Sequence, residues 1–198
     1  MKHLNWCKTA REKQITPKGD WNVWLILAGR GWGKTRTGAQ DIAFYGLTRP
    51  NSRIAIVTPT FGDGRDTCIE GVSGLLGCID ADNIENWNRS IGELTLKNGT
   101  IYKTFSAEQP DRLRGPQFHR AWCDELGSWK NAEAWDQLLF GLRLGEKPQV
   151  IITTTPKPTD LIKELVINKD SLVTRGSTFE NKDNLAESAV KKLKEKYE

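Results

Sequence analysis

One short run constrains this chain more than any other. Val23-Trp24-Leu25-Ile26-Leu27-Ala28 is continuously apolar, and Gly29-Arg30-Gly31-Trp32-Gly33-Lys34-Thr35 follows it directly. An unbroken apolar run bounded by turn residues reads as a strand buried on both faces of a parallel sheet. The glycine-rich turn matches the phosphate-binding pattern G-x-x-x-x-G-K-[ST], with Ala28 in place of the first glycine. Glycines let the backbone curl so that successive N–H groups point inward, and no side chain blocks a phosphate. The helix expected from Lys34 to about Leu47 adds the positive end of its dipole. Ala28 is tolerable there if its φ is negative. On this reading Lys34 reaches the β and γ phosphates of a nucleotide and Thr35 places its hydroxyl on Mg²⁺.

The rest of the chain supplies partners for that strand. Arg53–Thr58 and Gln149–Thr155 read as further buried strands, each ended by a proline, and Leu172–Thr174 as a short one. Glu93–Lys97 and Thr100–Phe105 alternate in polarity around Asn98-Gly99, which predicts an antiparallel hairpin at one sheet edge. Helices are expected over 66–76, 131–144, 159–166 and 185–197, and residues 1–20 read as a polar arm or short helix. Strands alternating with helices give an α/β domain with a mainly parallel sheet. The 198 residues suit one domain, with 37% hydrophobic and 27% charged residues. A net charge of +4 permits nucleic-acid contact without arguing for it. The four cysteines form no C-x-x-C pair and have only His3 and His119 as potential metal-site companions, so they read as free thiols in a reducing compartment. The N-terminus lacks the apolar core of a signal peptide and Val23–Ala28 is the longest apolar run, so no membrane association and a cytoplasmic location are expected.

Hydrolysis needs more than a phosphate cradle. Asp124-Glu125, after the apolar Ala121-Trp122-Cys123, offers a Mg²⁺ partner and a general base for the attacking water. His119 and Arg120 interrupt the apolar approach to that pair. Arg112 and Arg114 lie just upstream, and residue chemistry leaves them equally a charge-stabilising finger or part of a solvated loop. Thr153-Thr154-Thr155 could sense the γ phosphate, although β-branched residues filling a strand explain them at least as well. Trp24, with Trp21, flanks the start of the loop strand, where it could cover an adenine or simply pack in the core.

In this order the segments resemble the large terminase subunits of tailed bacteriophages. Leu27–Arg36 resembles their Walker A segment, and Ser106–Asp111 with Leu113–Phe118 the stretch before Walker B. Ala121–Leu126 resembles Walker B, Thr153–Pro156 the coupling motif, and Gly176–Asn181 the segment closing the ATPase domain. The resemblance implies a RecA-like P-loop fold that binds ATP with Mg²⁺ through Gly29, Arg30, Gly31, Trp32, Gly33, Lys34, Thr35 and Arg36. It implies Asp124 as metal partner, Glu125 as catalytic glutamate, Arg114 as a finger acting in trans around a ring, and Arg30 as a sensor or second finger. Thr153, Thr154 and Thr155 would couple hydrolysis to DNA movement. Implied partners are double-stranded DNA, the portal ring, the small terminase subunit and further copies of the chain, with a monomer as the alternative for an isolated domain. The implied location is the cytoplasm of the bacterial host, outside the mature virion. Family members continue into an RNase H-like nuclease domain, whereas this sequence ends at Glu198, so no DNA cleavage is expected of it. The family's glutamine-bearing adenine motif is not evident. Two rival readings are a helicase-type translocase, which needs a second RecA-like domain, and a nucleotide-binding module without turnover, which the joint presence of Lys34, Thr35, Asp124 and Glu125 disfavours.

Overall fold

The computed structural model describes residues 2–185. Its centre is an eight-stranded sheet of order β3-β4-β5-β2-β6-β7-β1-β8. The strands are β1 (Val23–Ala28), β2 (Arg53–Thr58), β3 (Ile84–Asn88), β4 (Glu93–Leu96), β5 (Ile101–Ser106), β6 (Arg120–Asp124), β7 (Gln149–Thr154) and β8 (Ser171–Gly176). From β5 to β8 all neighbours are parallel. The expected hairpin is β4–β5, turning at Gly99, whose φ of 83° is left-handed. It is not the edge itself, because β3 pairs antiparallel with β4 outside it.

The apolar residues of the central strands divide by period two between two cores. Trp24, Ile26, Ile54, Ile56, Tyr102, Trp122 and Ile151 form one, beneath α2 (Lys34–Thr48) and α3 (Leu75–Cys78). Leu25, Leu27, Ala55, Val57, Cys123 and Ile152 form the other, beneath α4 (Glu133–Gly141) and α5 (Asp160–Ile167). Close approach of α2 to the sheet needs Gly38, where an added Cβ would lie 2.3 Å from the Trp122 ring. The N-terminal arm contains α1 (Lys2–Thr9), which packs against α2 and α3.

Arg120, an anomaly in a buried strand, is resolved by a partner. Its guanidinium grips Asp41 of α2 in a bidentate pair, Nε to Oδ2 at 2.8 Å and Nη2 to Oδ1 at 2.7 Å. His119 Nδ1 accepts the Arg53 amide at 2.9 Å, and burial holds this histidine's pKa below its ordinary value. The helix expected over 66–76 is instead a π-helical turn, Asp63–Ile69, a break at Gly71–Gly74, and the short α3. Residues 131–144 yield the shorter α4, and the expected helix 185–197 lies, beyond Leu185, outside the described residues. Among the described residues no helix is long and apolar enough to cross a membrane.

Candidate active site

Strands β6, β7 and β1 are neighbours in the sheet, so their C-terminal ends bring three separate sequence segments together. The crevice beyond the carboxyl ends of parallel strands is where α/β proteins bind ligands. The turn after β1 is the glycine loop, with Gly31 at φ 74° and Gly33 at φ 98°, values that a side chain would strain. Ala28 closes β1 and is not among the positive-φ residues, so the missing first glycine costs no backbone freedom.

Lys34 opens α2 and is only 6% exposed. Its Nζ donates to Gly29 O at 3.2 Å and lies 3.6 Å from Glu125 Oε1. Glu125 sits in the left-handed region at φ 47°, which turns its side chain out of the strand line. Thr155 anchors it, donating to Oε2 at 2.7 Å through Oγ1 and at 3.3 Å through its amide. Asp124, buried at the end of β6, accepts Thr153 Oγ1 at 2.6 Å on Oδ1 and the Cys68 thiol at 3.6 Å on Oδ2. Burial pushes the Asp124 pKa from 3.8 to about 6, against the opposing bonds from Thr153 and Cys68 and the charge of Lys34. The Thr153 hydroxyl also accepts Trp122 Nε1 at 2.7 Å. An indole N–H only donates, so the single Thr153 proton is directed to Asp124. Thr154 points to the other face, accepting the Gly127 amide at 3.0 Å.

A cleft of about 420 Å³ beside the loop is lined by Gly33, Lys34, Thr35, Arg36, Thr67 and Val72. A second polar cleft of about 500 Å³ adjoins it, with Trp6, Gln14, Trp32 and Arg36 in its walls. The larger cleft of about 1030 Å³ over β2 and β5 contains no residue of the glycine loop, so its size does not make it the site. No cluster of three or more His, Cys, Asp or Glu among the described residues could hold a metal. Asp124 and the Thr35 hydroxyl are instead the hard oxygen donors that suit Mg²⁺, an ion that keeps waters and phosphate oxygens as its other ligands.

Other candidates make no contact with Asp124 or Glu125. Arg30 is exposed on the loop, and Arg36 is half-buried beside Gln40, whose amide oxygen lies 3.0 Å from it when turned to accept. Arg114 is 56% exposed, and its partners are Asp111 at 3.2 Å and Glu133 at 2.8 Å. The idea that Trp24 covers an adenine is corrected. Its ring is fully buried in the core and its N–H is spent on Thr174 Oγ1 at 2.9 Å. The Trp32 side chain is likewise no ligand surface. It is buried against Gly176 and donates to Glu180 Oε2 at 3.1 Å, which ties the loop to the segment after β8.

Sequence reasoning missed Cys68, Gln14, Arg11 and the contact roles of Glu180 and Asn181. For the last pair a signal was available. Ser177-Thr178-Phe179-Glu180 is a capping-box pattern, and the box forms, fixing the turn that carries Asn181.

Residues 25–197 match the family described as "Terminase large subunit, T4likevirus-type, N-terminal". The fold is similar to the large terminase ATPase domain of Thermus phage P74-26, at 16% identity and a TM-score of 0.69 over 84% of this chain and 80% of that one. It is also similar to the large terminase of a second thermophilic bacteriophage. In that protein's complex with ADP the TM-score is 0.73 at 15% identity, over 100% of this chain and 49% of that one. In its complex with ATP-gamma-S the TM-score is 0.66 at 14% identity, over 100% and 48%. This chain therefore spans about half the length of that second phage protein. No curated protein matches. With the glycine loop, the Asp124-Glu125 pair and a family match running from β1 through the end of the described residues, the chain belongs to the terminase large subunits, in their N-terminal domain.

Proposed function

We propose that this domain hydrolyses Mg²⁺-ATP and that the hydrolysis drives double-stranded DNA into a procapsid. The observation that supports the reading is the Lys34–Glu125 contact at 3.6 Å, which brings the glycine loop against the Asp124-Glu125 pair. Loop N–H groups and Lys34 would bind the phosphates, while Thr35 and Asp124 would hold Mg²⁺. The cation would neutralise charge on the phosphate oxygens. Lys34, on meeting phosphate, leaves Glu125 free to orient a water and take its proton. Thr155 keeps that carboxylate aimed, and Thr153 does the same for Asp124.

Transfer of the phosphoryl group also needs positive charge in the transition state, worth about 10³ to 10⁵ in rate when supplied by an arginine. Arg114 fits a finger acting in trans, since it is exposed and its partners are surface carboxylates. This reading brings in a homo-oligomeric ring, the portal protein and the small terminase subunit as partners, in the host cytoplasm during assembly.

The test is the Mg²⁺-dependent ATPase rate against protein concentration. The rate per chain should rise with concentration, and Lys34→Ala, Glu125→Ala and Arg114→Ala should each lose it, while Glu125→Ala still binds ATP. Normal turnover by Glu125→Ala would overturn the assignment of the base.

A further inference from the structure

Side chains from the two ends of the described chain occupy carbonyls of the phosphate loop. Asn181 Nδ2 donates to Gly31 O at 2.6 Å. Arg11, from the N-terminal arm, donates through Nη2 to Trp32 O. Its Nη1 donates to Asn181 Oδ1 at 2.5 Å and to Glu180 O at 3.3 Å, so the two side chains form one unit. The guanidinium also lies over the Trp32 ring, 5.0 Å from its centroid. Its Nε is buried without an acceptor among the described residues, so the terminal nitrogens decide where this side chain sits.

These contacts bear on phosphate binding through peptide geometry. In a trans peptide the C=O and the following N–H point opposite ways. Fixing Gly31 O therefore fixes the Trp32 N–H of the same peptide, which donates to Gly29 O at 3.4 Å and closes the turn of the loop. Fixing Trp32 O likewise sets the plane of the peptide that carries the Gly33 N–H. Inward N–H groups are what makes a loop a nest for anions. A turn with glycine at positions 29, 31 and 33 has the largest conformational entropy to lose on ordering. Its own anchors are Lys34 Nζ on Gly29 O and the Trp32 indole on Glu180, and neither holds the Gly31 or Trp32 carbonyl. We propose that Arg11 and Asn181 are positioning residues for the phosphate cradle, acting through the Gly31 and Trp32 carbonyls. The proposal rests on the nucleotide reading above and adds two residues to it, one from an arm that looked peripheral.

The test is calorimetric binding of ATP and of inorganic tripolyphosphate to the full chain, with steady-state kinetics and a thermal melt of each variant. Asn181→Asp keeps the side chain's size but replaces the donor with an acceptor facing Gly31 O. Arg11→Lys keeps the charge but cannot hold Trp32 O and Asn181 together. Each variant should weaken both ligands about tenfold, the effect of losing about one net hydrogen bond's worth of ordering. KM for ATP should rise by a similar factor while kcat at saturation stays within about twofold, the signature of lost uniform binding. The double variant should lose less than the product of the single losses, because the residues act as one unit. Unchanged tripolyphosphate affinity in both single variants, with only the melting temperature lowered, would overturn the proposal and leave the clamp structural. A wild-type chain that binds neither ATP nor tripolyphosphate would overturn the nucleotide reading itself.

Discussion

Asp124→Asn should make the protein more stable at neutral pH while abolishing hydrolysis. Asp124 is 5% exposed, and burial raises its pKa from 3.8 to about 6. A raised carboxyl pKa means that the folded state holds the proton more tightly than the unfolded one. Below 3.8 both states are protonated and the residue costs nothing. Between 3.8 and about 6 the cost grows, and above that the folded chain carries a buried charge at full cost. At about 1.4 kcal/mol per pKa unit, the penalty at pH 8 is about 3 kcal/mol. Asn removes the charge and leaves an oxygen to accept the Thr153 hydroxyl now 2.6 Å from Oδ1, losing mainly the weak Cys68 contact at 3.6 Å. For a domain of this size, about 3 kcal/mol corresponds to a rise in melting temperature of roughly 6–12 °C. The assay is thermal unfolding of both proteins in EDTA, at pH 8 and at pH 4. The gain should be present at pH 8 and nearly absent at pH 4. Equal melting temperatures at pH 8, or a gain that persists unchanged at pH 4, would refute the reasoning.

Trp24→Phe should leave ATP affinity within about twofold and cost about 1–3 kcal/mol of stability, through lost packing and an unpaired Thr174 hydroxyl. A tenfold loss of affinity in calorimetry would return Trp24 to the base site. Arg120→Met should cost about 3–5 kcal/mol in urea unfolding, because Asp41 is left charged in the interior, and Arg120→Met with Asp41→Leu should recover most of it.

The parts of this fold that could be read from sequence are those governed by neighbours in the chain. Val23–Ala28 and Arg53–Thr58 are apolar runs of strand length, and Asn98-Gly99 demands a turn wherever it falls. Ile84–Asn88 escaped notice because it is a half-exposed outer strand with little apolar pattern. The π-helical turn at Asp63–Ile69 escaped for a different reason. A helical apolar period does not distinguish its wider winding, which here buries Gly64, Cys68 and Ile69. Gly64 is held there by close approach, since a Cβ on it would lie 2.2 Å from Thr104 Cγ2. The site divides in the same way. The glycine loop and Asp124-Glu125 are contiguous motifs, whereas Arg11 and Cys68 reach the site from distant segments with no local pattern to announce them, and the capping box marks the turn of Asn181 without giving its destination.

The threonine run shows how strand geometry gives three like residues different contacts. Three β-branched residues in succession suit any buried strand, and on that ground they need no further role. Side chains of a strand alternate between faces, so Thr153 and Thr155 share one and Thr154 takes the other. The shared face is the one that meets Asp124 and Glu125, and each hydroxyl bonds one carboxylate, at 2.6 Å and 2.7 Å. Valine at 153 or 155 would fill the same volume, but it would remove the hydroxyl donor and leave Asp124 only the Cys68 thiol, or Glu125 the Thr155 amide and the Lys34 contact. Thr154 instead holds the Gly127 amide, at the turn that follows the two acids. Any shift of Glu125 toward or away from Lys34 must therefore pull on Thr155, just past the end of β7, and the chain beyond it leads through Pro156 into α5. The Lys34–Glu125 contact is thus joined through Thr155 to a helix on the opposite face of the sheet.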